Sequence, residues 1–305
     1  MNSNPVKIAL LGIGLIGADL LIKIHRSKWM QCTLVAGRNR EAVGMQRAAS
    51  LGYPITDGGI DALVEQPQEL YDLVFDATDA ISHIRHWQLL QTLGKKVIDL
   101  TPSGIGHMVV PSINAEDSMA HANINLVSCG GQAAIPVLTA LSHHVPGIRY
   151  IEAVTTASSL SIGRSTRLNL DEYIQTTECG IRVFTGVQAV KALVNISPAR
   201  PPANFRVAMS MLAPGVDPEA INAIVHRAIE VLRSYIPGYR LLTCAVLNKE
   251  RVFVTVEIQG RGDLLPTYAG NLDIMNAAAV TIAEQYAIAR LRCSNPPALQ
   301  KSIYE

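Results

Sequence analysis

Three closely spaced glycines near the amino terminus limit the possible folds of this chain more than any other feature. The run Gly12-Ile13-Gly14-Leu15-Ile16-Gly17 follows an apolar stretch, residues 6–11, and precedes a helical pattern over residues 15–27. In such a strand–turn–helix unit the first glycine permits a tight turn, the second lets a pyrophosphate approach the backbone, and the third lets helix and strand pack closely. The run therefore predicts a dinucleotide-binding unit with contacts from residues 12–17; the alternative is a turn that binds no ligand.

The first half of the chain alternates strand and helix patterns. Strands are predicted at residues 6–11, 33–36, 73–75, 96–100 and 124–127, and helices at residues 15–27, 41–51 and 81–93. This alternation indicates a parallel sheet covered by helices on both faces. Such sheets bind ligands at the carboxyl ends of their strands.

A second, β-rich region begins near Tyr150. Its predicted strands are 151–156, 205–209 and 252–258, and its predicted helices are 171–178, 186–194 and 217–234. We expect an α+β unit with a largely antiparallel sheet, followed by a long helix over residues 271–291 that returns to the first unit. The predicted division is residues 1–149 with 271–305 for the first domain and residues 150–270 for the second.

Charge and cysteine content exclude several classes of protein. The 26 Lys and Arg residues nearly balance the 25 Asp and Glu residues, so we expect neither nucleic acid nor a membrane surface as a partner. The apolar first 24 residues contain Lys7, Asp19 and Lys23, which favours a buried strand and helix over a membrane segment or signal peptide. Five scattered cysteines without a CxxC pair favour a reducing, cytoplasmic location and no zinc site.

The residues after the second strand bear on the choice of cofactor. An acidic side chain about 20 residues beyond the glycine run usually binds the ribose of NAD. Here the run is Gly37-Arg38-Asn39-Arg40. The guanidinium groups of Arg38 and Arg40 suit a 2′-phosphate, so we expect NADP(H), with NAD(H) as the alternative. Two solvated surface arginines would look the same in sequence.

Cys129 is the candidate nucleophile. It lies in Ser128-Cys129-Gly130-Gly131-Gln132, directly before an apolar helical stretch, residues 133–143. The free N–H groups and the dipole of a helix N-terminus favour a thiolate, and the same N–H groups could bind a thioester oxyanion. A small buried core residue is an equally good interpretation of the residue pattern alone.

Three further segments could contribute to a site. Residues 158–167 form a polar, glycine-containing loop after a strand, which could cover a ligand or merely connect two elements. Asn271 opens the last helix and is either its N-cap or a hydrogen-bond partner for a carboxamide. His107 is a weak candidate for an acid or base.

Taken together, these residues resemble the acylating acetaldehyde dehydrogenases, which convert acetaldehyde, NAD(P) and coenzyme A to acetyl-CoA. The resemblance extends from Val6 to about Ala287. The motifs that carry it are Val74-Phe-Asp-Ala-Thr78, Asp99-Leu-Thr-Pro102, Cys129-Gly-Gly-Gln132 with Ile135-Pro136, Thr166-Arg167 with Asn169 and Asp171-Glu172, Pro237-Gly-Tyr-Arg-Leu241, and Tyr268-Ala-Gly-Asn-Leu-Asp-Ile-Met275.

The resemblance implies a fold, partners and roles for particular residues. The fold class is α/β, a Rossmann-type nucleotide-binding domain with an α+β catalytic and dimerisation domain. Cys129 would carry the acyl group as a thioester, in a homodimer that in many members of the family pairs with an aldolase supplying acetaldehyde. Further cofactor contacts would come from Ser161, Gly163 and Asn169 in one loop, and from Asn271 at the nicotinamide end.

The sequence departs from the family pattern at five places, one of which is a shorter region between Leu241 and Val252. Arg38-Asn39-Arg40 replaces an acidic stretch, Val207 replaces a carboxylate after Arg206, Leu160 replaces a lysine, and Asp263 replaces a histidine. The predicted activity is interconversion of an aldehyde and an acyl thioester, either of coenzyme A or carrier-bound.

Two alternatives to this activity remain. One is a semialdehyde dehydrogenase acting on an acyl phosphate, for which Arg164 and Arg167 are the candidate phosphate ligands. The other is a catalytically weak homologue that only binds NADP(H).

Overall fold

Two β-sheets follow one another along the chain. The computed structural model describes residues 5–294, except the side chains of Arg164 and of residues 292–294. The strands of the first sheet are β1 (Val6–Leu11), β2 (Met30–Ala36), β3 (Ile55–Thr56), β4 (Leu73–Asp76), β5 (Lys96–Asp99), β6 (His107–Met108) and β7 (Asn123–Asn125). The helices between them are α1 (Leu15–Arg26), α2 (Val43–Ser50), α3 (Gly59–Val64), α4 (Ala80–Thr92) and α5 (Pro111–Asn114).

The first sheet is parallel throughout, with the strand order β3-β2-β1-β4-β5-β7-β6. Every residue of β1 except Lys7 is buried, as expected for a strand covered by helices on both faces. The carboxyl ends of the strands therefore meet at one edge, where the glycine run begins after β1. The parallel nucleotide-binding sheet predicted from the alternation is confirmed.

The second sheet is mixed and lies beside several long helices. Its order is β11-β12-β10-β8-β9, and only the β8–β9 pair is parallel. The strands are β8 (Tyr150–Ser158), β9 (Val190–Ser197), β10 (Phe205–Leu212), β11 (Tyr239–Leu247) and β12 (Arg251–Ile258). The helices are α6 (Cys129–His144), α7 (Arg164–Leu168), α8 (Leu170–Thr185), α9 (Pro218–Arg233) and α10 (Gly270–Ser294).

The predicted helix at residues 186–194 is wrong. Helix α8 instead continues to Thr185 and ends at Gly186, whose φ of +75° is a left-handed conformation that glycine adopts without steric cost. The following residues form β9, in which Val190 and Ala192 are buried and Lys191 and Leu193 are exposed. This period-two alternation is the pattern of a half-buried strand. Strands β3, β6 and β11 were also not predicted.

Helix α6 joins the two sheets. It follows β7 of the first sheet but packs against α8, α9, β8 and β10 of the second, and against α10. Residues 130–139 of this helix are all buried. The first turn of α6, which begins at Cys129, therefore lies where the two sheets meet.

The last helix, α10, returns to the first unit and packs against α1. Lys23 of α1 secures this contact, with its Nζ 2.6 Å from Asp19, 3.1 Å from Asp263 and 2.9 Å from Asp273. The assignment of residues 271–305 to the first domain stays a prediction, and residues 295–305 lie outside the described part. The domain boundaries at 149/150 and 270/271 remain a prediction.

Candidate active site

The glycine run forms a tight turn at the carboxyl edge of the first sheet. Gly12 has a φ of +90°, and a Cβ there would lie 2.7 Å from the carbonyl oxygen of Ala77. A Cβ on Gly17 would lie 2.1 Å from the carbonyl oxygen of Gly12. In contrast, the space around Gly14 is empty within 4 Å of the same position, and Gly14 caps α1 without a side chain. Backbone that is open at a helix N-terminus fits a pyrophosphate.

A cleft with a volume of about 450 Å³ extends from this turn. Gly12, Ile13 and Gly14 form one wall, and the turns after β2, β3 and β4 form the others. Arg38 lines the cleft, whereas Arg40 is exposed and is not among the lining residues. Only one of the two predicted arginines therefore faces the cleft. Of the remaining residues of the run, Leu15 is exposed and Ile16 packs against the hydrophobic core.

Cys129 is the first residue of α6. Ser128 is the N-cap, and its Oγ accepts a hydrogen bond of 2.9 Å from the N–H of Gly131. The Sγ of Cys129 lies 3.5 Å from the hydroxyl oxygen of Tyr173 on α8. The same oxygen accepts a hydrogen bond of 3.0 Å from the N–H of Gly130. The N–H groups of Gly130 and Gly131 at this helix start are thus already hydrogen-bonded within the protein.

Burial raises the pKa of the Cys129 thiol to about 11. Hydrogen bonds from Tyr173 and from the N–H groups of Gly130 and Cys129 lower this pKa, but desolvation outweighs them. The helix N-terminus does favour the thiolate, as the sequence predicted. In the free protein desolvation dominates, so Cys129 is a thiol at neutral pH.

Tyr173 and its neighbours on α8 were not predicted as site residues. Thr177 contacts the Oγ of Ser128 at 2.6 Å, and Thr176 donates a 3.0 Å hydrogen bond to the carbonyl oxygen of Pro102. All three side chains are buried on the same face of α8. Their polar side chains recur at spacings of three and four on one face of α8, but the sequence alone does not show that this face packs against α6.

The loop after β8 reaches the other predicted cofactor contacts. The Nδ2 of Asn271 donates a 3.0 Å hydrogen bond to the carbonyl oxygen of Ser161. The Oδ1 of Asn271 is buried and has no hydrogen-bond partner among the described residues. A buried, unpaired acceptor of this kind fits the N–H donors of a carboxamide.

The two other predicted residues of that loop differ in their surroundings. Gly163 has empty space around it and precedes α7. The Oδ1 of Asn169 accepts a 3.2 Å hydrogen bond from the N–H of Ala80, which connects the loop to the start of α4. Ser165 of the same loop lines the cofactor cleft.

Asp263, which replaces the family histidine, and His107, the candidate acid or base, both make contacts away from Cys129. Asp263 forms ion pairs with Lys23 and Arg26. His107 stacks on His121 and lies 3.4 Å from Asp117. Neither forms a hydrogen bond with Cys129 in the described part of the chain.

The candidate phosphate ligands give little support to acyl phosphate chemistry. The guanidinium group of Arg167 donates to the carbonyl oxygens of Ser159 and Ile162, at 2.8 Å and 3.3 Å, and so closes its own loop. The side chain of Arg164 lies outside the described residues.

A buried network of charges supports the sheet edge beneath the cleft. The ring of His83 lies between Asp76, at 2.9 Å, and Asp99, at 3.5 Å, and His86 approaches Asp76 at 2.7 Å. Burial raises the pKa of Asp99 to about 6. Burial also opposes ionisation of Asp76, but the hydrogen bonds with His83 and His86 outweigh it and lower the pKa of Asp76 below its usual range.

Residues 5–294 contain neither a candidate membrane-spanning helix nor a candidate metal site. No helix in this range is long and apolar enough to cross a membrane. No group of three or more His, Cys, Asp or Glu side chains within it could hold a metal ion.

The raised pKa makes the reactivity of Cys129 depend on pH. Only the thiolate attacks an alkylating agent, and its fraction rises tenfold per pH unit below the pKa. We expect the alkylation rate of Cys129 in the free protein to rise about tenfold per unit between pH 7 and pH 9. Iodoacetamide labelling followed by peptide mass spectrometry measures this rate. A rate that levels off below pH 9 would contradict the assignment of a half-buried, protonated thiol.

Comparison with known proteins places the chain in a family. A family model described as "Prokaryotic acetaldehyde dehydrogenase, dimerisation" matches residues 129–266. The acetaldehyde dehydrogenase of Streptomyces griseus is 48% identical over 280 residues, which are 92% of this chain and 90% of that protein. That of Pectobacterium atrosepticum is 45% identical over 290 residues, 94% of this chain and 98% of that protein.

A solved structure shares the fold. Aspartate semialdehyde dehydrogenase II from Vibrio cholerae, complexed with ASA, matches with a TM-score of 0.61 and 12% identity, over 94% of this chain and 99% of that chain. At this identity the likeness concerns the fold alone. The sequence identity to the two relatives is far higher, and by that criterion the chain belongs to the prokaryotic acylating acetaldehyde dehydrogenase family.

Proposed function

We propose that this chain interconverts an aldehyde and the acyl thioester of coenzyme A, with the acyl group carried on Cys129. The observation that supports this most directly is the position of Cys129 at the N-terminus of α6. The first turn of α6 follows the carboxyl end of β7, and the glycine run follows the carboxyl end of β1. Both therefore lie at the same edge of the parallel sheet. The name of the relatives points to acetaldehyde as the aldehyde.

The proposed reaction uses the thiol twice. In the oxidative direction the thiolate of Cys129 adds to the aldehyde carbon and the carbonyl oxygen takes a proton, which gives a thiohemiacetal. Loss of a hydride from that carbon and of the hydroxyl proton leaves a thioester on Cys129. The thiol of coenzyme A then displaces Cys129, so that acyl-CoA leaves and the free thiol is restored. Covalent capture divides one difficult step into easier ones.

A bound nicotinamide dinucleotide would supply the hydride acceptor or donor. The open backbone at Gly14 would hold the pyrophosphate, and the unpaired Oδ1 of Asn271 would accept a hydrogen bond from the carboxamide. The contact between Asn271 and Ser161 would keep that oxygen in place. NADP(H) is the cofactor we propose, because Arg38 in the turn after β2 lines the cleft and no carboxylate of that turn does.

The arrangement favours a thioester over an acyl phosphate as the substrate. Arg167 already donates to two carbonyl oxygens of its own loop. A phosphate ligand would have to break these hydrogen bonds, whereas a thioester needs no guanidinium partner. An aldolase partner, implied by the family resemblance, remains a prediction.

A second copy of the chain is the partner we propose for the outward face of the second sheet. A cross-strand row on this face consists of Leu193, Val154, Ala208, Thr255 and Thr243. Leu193 is 41% exposed, although the opposite face of the sheet is covered by α6, α8 and α9. The family model that spans this sheet is described by the word dimerisation. A row of small and apolar side chains suits an interface core.

Removal of the thiol tests the covalent mechanism. We expect Cys129→Ala to abolish turnover and leave cofactor affinity nearly unchanged, because the thiol forms the intermediate and does not hold the dinucleotide. Cys179→Ala is the matched control, since Cys179 is exposed on α8. The measurement is nicotinamide absorbance with a panel of acyl-CoA substrates and both reduced cofactors. Retention of most activity in Cys129→Ala would rule out the acyl-enzyme.

The cofactor proposal predicts different effects for the two arginines. NADPH should bind more tightly than NADH, and Arg38→Ala should weaken NADPH binding by about 1.5–3 kcal/mol, the usual value of a charged hydrogen bond. Arg40→Ala should have a smaller effect because Arg40 does not line the cleft. Fluorescence titration measures both affinities. Equal affinity of the wild-type protein for NADPH and NADH would show that Arg38 is only a surface charge.

The dimer proposal predicts that a charge in the row prevents association. Ala208→Glu should yield monomers, because its carboxylate would be buried against the second copy. Ala223→Glu, on the exposed side of α9, is the control and should not change the oligomeric state. Light scattering after size exclusion measures the mass. A dimer that persists in Ala208→Glu would place the interface elsewhere.

A further inference from the structure

The sulfur of Cys129 is faced by a hydroxyl group at the place where strand β10 offers no polar side chain. Val207 on β10 is fully buried and lies opposite Thr155 on β8 in the sheet register. Its side chain cannot donate or accept a hydrogen bond. The polar group beside the sulfur comes instead from α8, as the hydroxyl of Tyr173.

Three contacts determine what this hydroxyl can do. Its oxygen accepts the N–H of Gly130 at 3.0 Å. Its proton then has two acceptors within reach, the Sγ of Cys129 at 3.5 Å and the Oγ1 of Thr155 at 3.4 Å. The hydroxyl can therefore point to Thr155 while Cys129 is a neutral thiol, and to the sulfur once it is charged. Hydrogen bonds to a charged acceptor are about twice as strong as neutral ones.

Toward the sulfur of Cys129, the Tyr173 hydroxyl can act only as a hydrogen-bond donor. Burial raises the pKa of its hydroxyl well above the usual value, and the nearby sulfur raises it further. A tyrosine that stays protonated cannot remove the proton of the thiol. It can only stabilise the negative charge of the sulfur after that proton has gone.

We propose that Tyr173 is a catalytic residue, whose hydroxyl donates a hydrogen bond to the Cys129 sulfur whenever the thiolate attacks or is expelled. This proposal rests on the proposed function, in which the sulfur becomes negative when the thiohemiacetal collapses to aldehyde and when coenzyme A displaces the enzyme thiol. Thr155 is the resting acceptor of the same proton. The Tyr173 hydroxyl thus donates to Thr155 on β8 while the sulfur is neutral, and turns to donate to the sulfur as negative charge develops there.

Two conservative substitutions should change the reactivity of Cys129 in opposite directions. Tyr173→Phe removes the donor and keeps the ring, so the alkylation rate of Cys129 should fall about tenfold or more at each pH between 7 and 9, the effect of one hydrogen bond to a charged group. Thr155→Val removes the competing acceptor and keeps the side-chain shape. The alkylation rate of Cys129 in this variant should rise above that of the wild type, because the sulfur is then the remaining acceptor for the Tyr173 hydroxyl.

The experiment uses the full chain without cofactor, iodoacetamide as the probe, and peptide mass spectrometry to separate the cysteines. Cys179 is exposed on the same helix as Tyr173, so its alkylation rate should be unchanged in both variants and serves as the internal reference. Opposite shifts for Cys129 with a constant Cys179 rate support the proposal. An unchanged rate in Tyr173→Phe, or a slower rate in both variants, overturns it.

Turnover measurements separate this proposal from the proposed function. If the wild type converts no aldehyde or acyl-CoA, the proposed function fails, while the alkylation rates still show whether Tyr173 stabilises the thiolate. If the wild type is active, Tyr173→Phe should lower kcat and leave KM for the cofactor unchanged, because the hydroxyl contacts the sulfur and not the cleft. An active enzyme whose kcat is unaffected by Tyr173→Phe overturns the catalytic role.

Discussion

The first turn of α6 is buried between the two sheets, and the chemistry of the site depends on how its backbone N–H groups are satisfied. A helix leaves its first N–H groups without partners, and burial makes that costly. Here Ser128 accepts from Gly131, and Tyr173 accepts from Gly130. The two glycines permit these contacts, because a Cβ on Gly130 would lie 2.4 Å from both the Tyr173 hydroxyl and the Oγ1 of Thr155.

The burial that positions the thiol also keeps it neutral. Desolvation disfavours the thiolate more than the three nearby donors favour it, so the pKa of Cys129 is about 11 in the free protein. A neutral, buried thiol reacts slowly with oxidants and stray electrophiles. Its activation must then come with the substrate, because the sulfur bonds to the carbonyl carbon as soon as the thiolate forms and the negative charge moves to the carbonyl oxygen. The Tyr173 hydroxyl, which would turn toward the sulfur only when the sulfur is charged, suits this order of steps.

The sequence predicted those parts of the fold and site that depend on local patterns. The glycine run fixed the first sheet, because a turn with φ of +90° at Gly12 and close packing at Gly17 can hardly form with other residues. The Cys129-Gly130-Gly131 motif located the start of α6, because a Cβ on either glycine would lie too close to neighbouring atoms. The prediction of a helix at residues 186–194 was wrong. The left-handed Gly186 ends α8, and pairing with β8 makes residues 190–197 a strand. Tyr173 could not be predicted, since it is 44 residues from Cys129 and only the packing of α8 on α6 brings them together.

The site takes its groups from both parts of the chain, so the proposed cofactor binding would be coupled to the chemistry of the thiol. Asn271 on α10 binds the loop that carries Ser161, and the same loop reaches α4 of the first unit through Asn169. Tyr173 follows that loop directly on α8. A dinucleotide that used the free Oδ1 of Asn271 would therefore fix the loop from which α8 starts. The position of the Tyr173 hydroxyl relative to Cys129 is set by elements that the cofactor itself would hold in place.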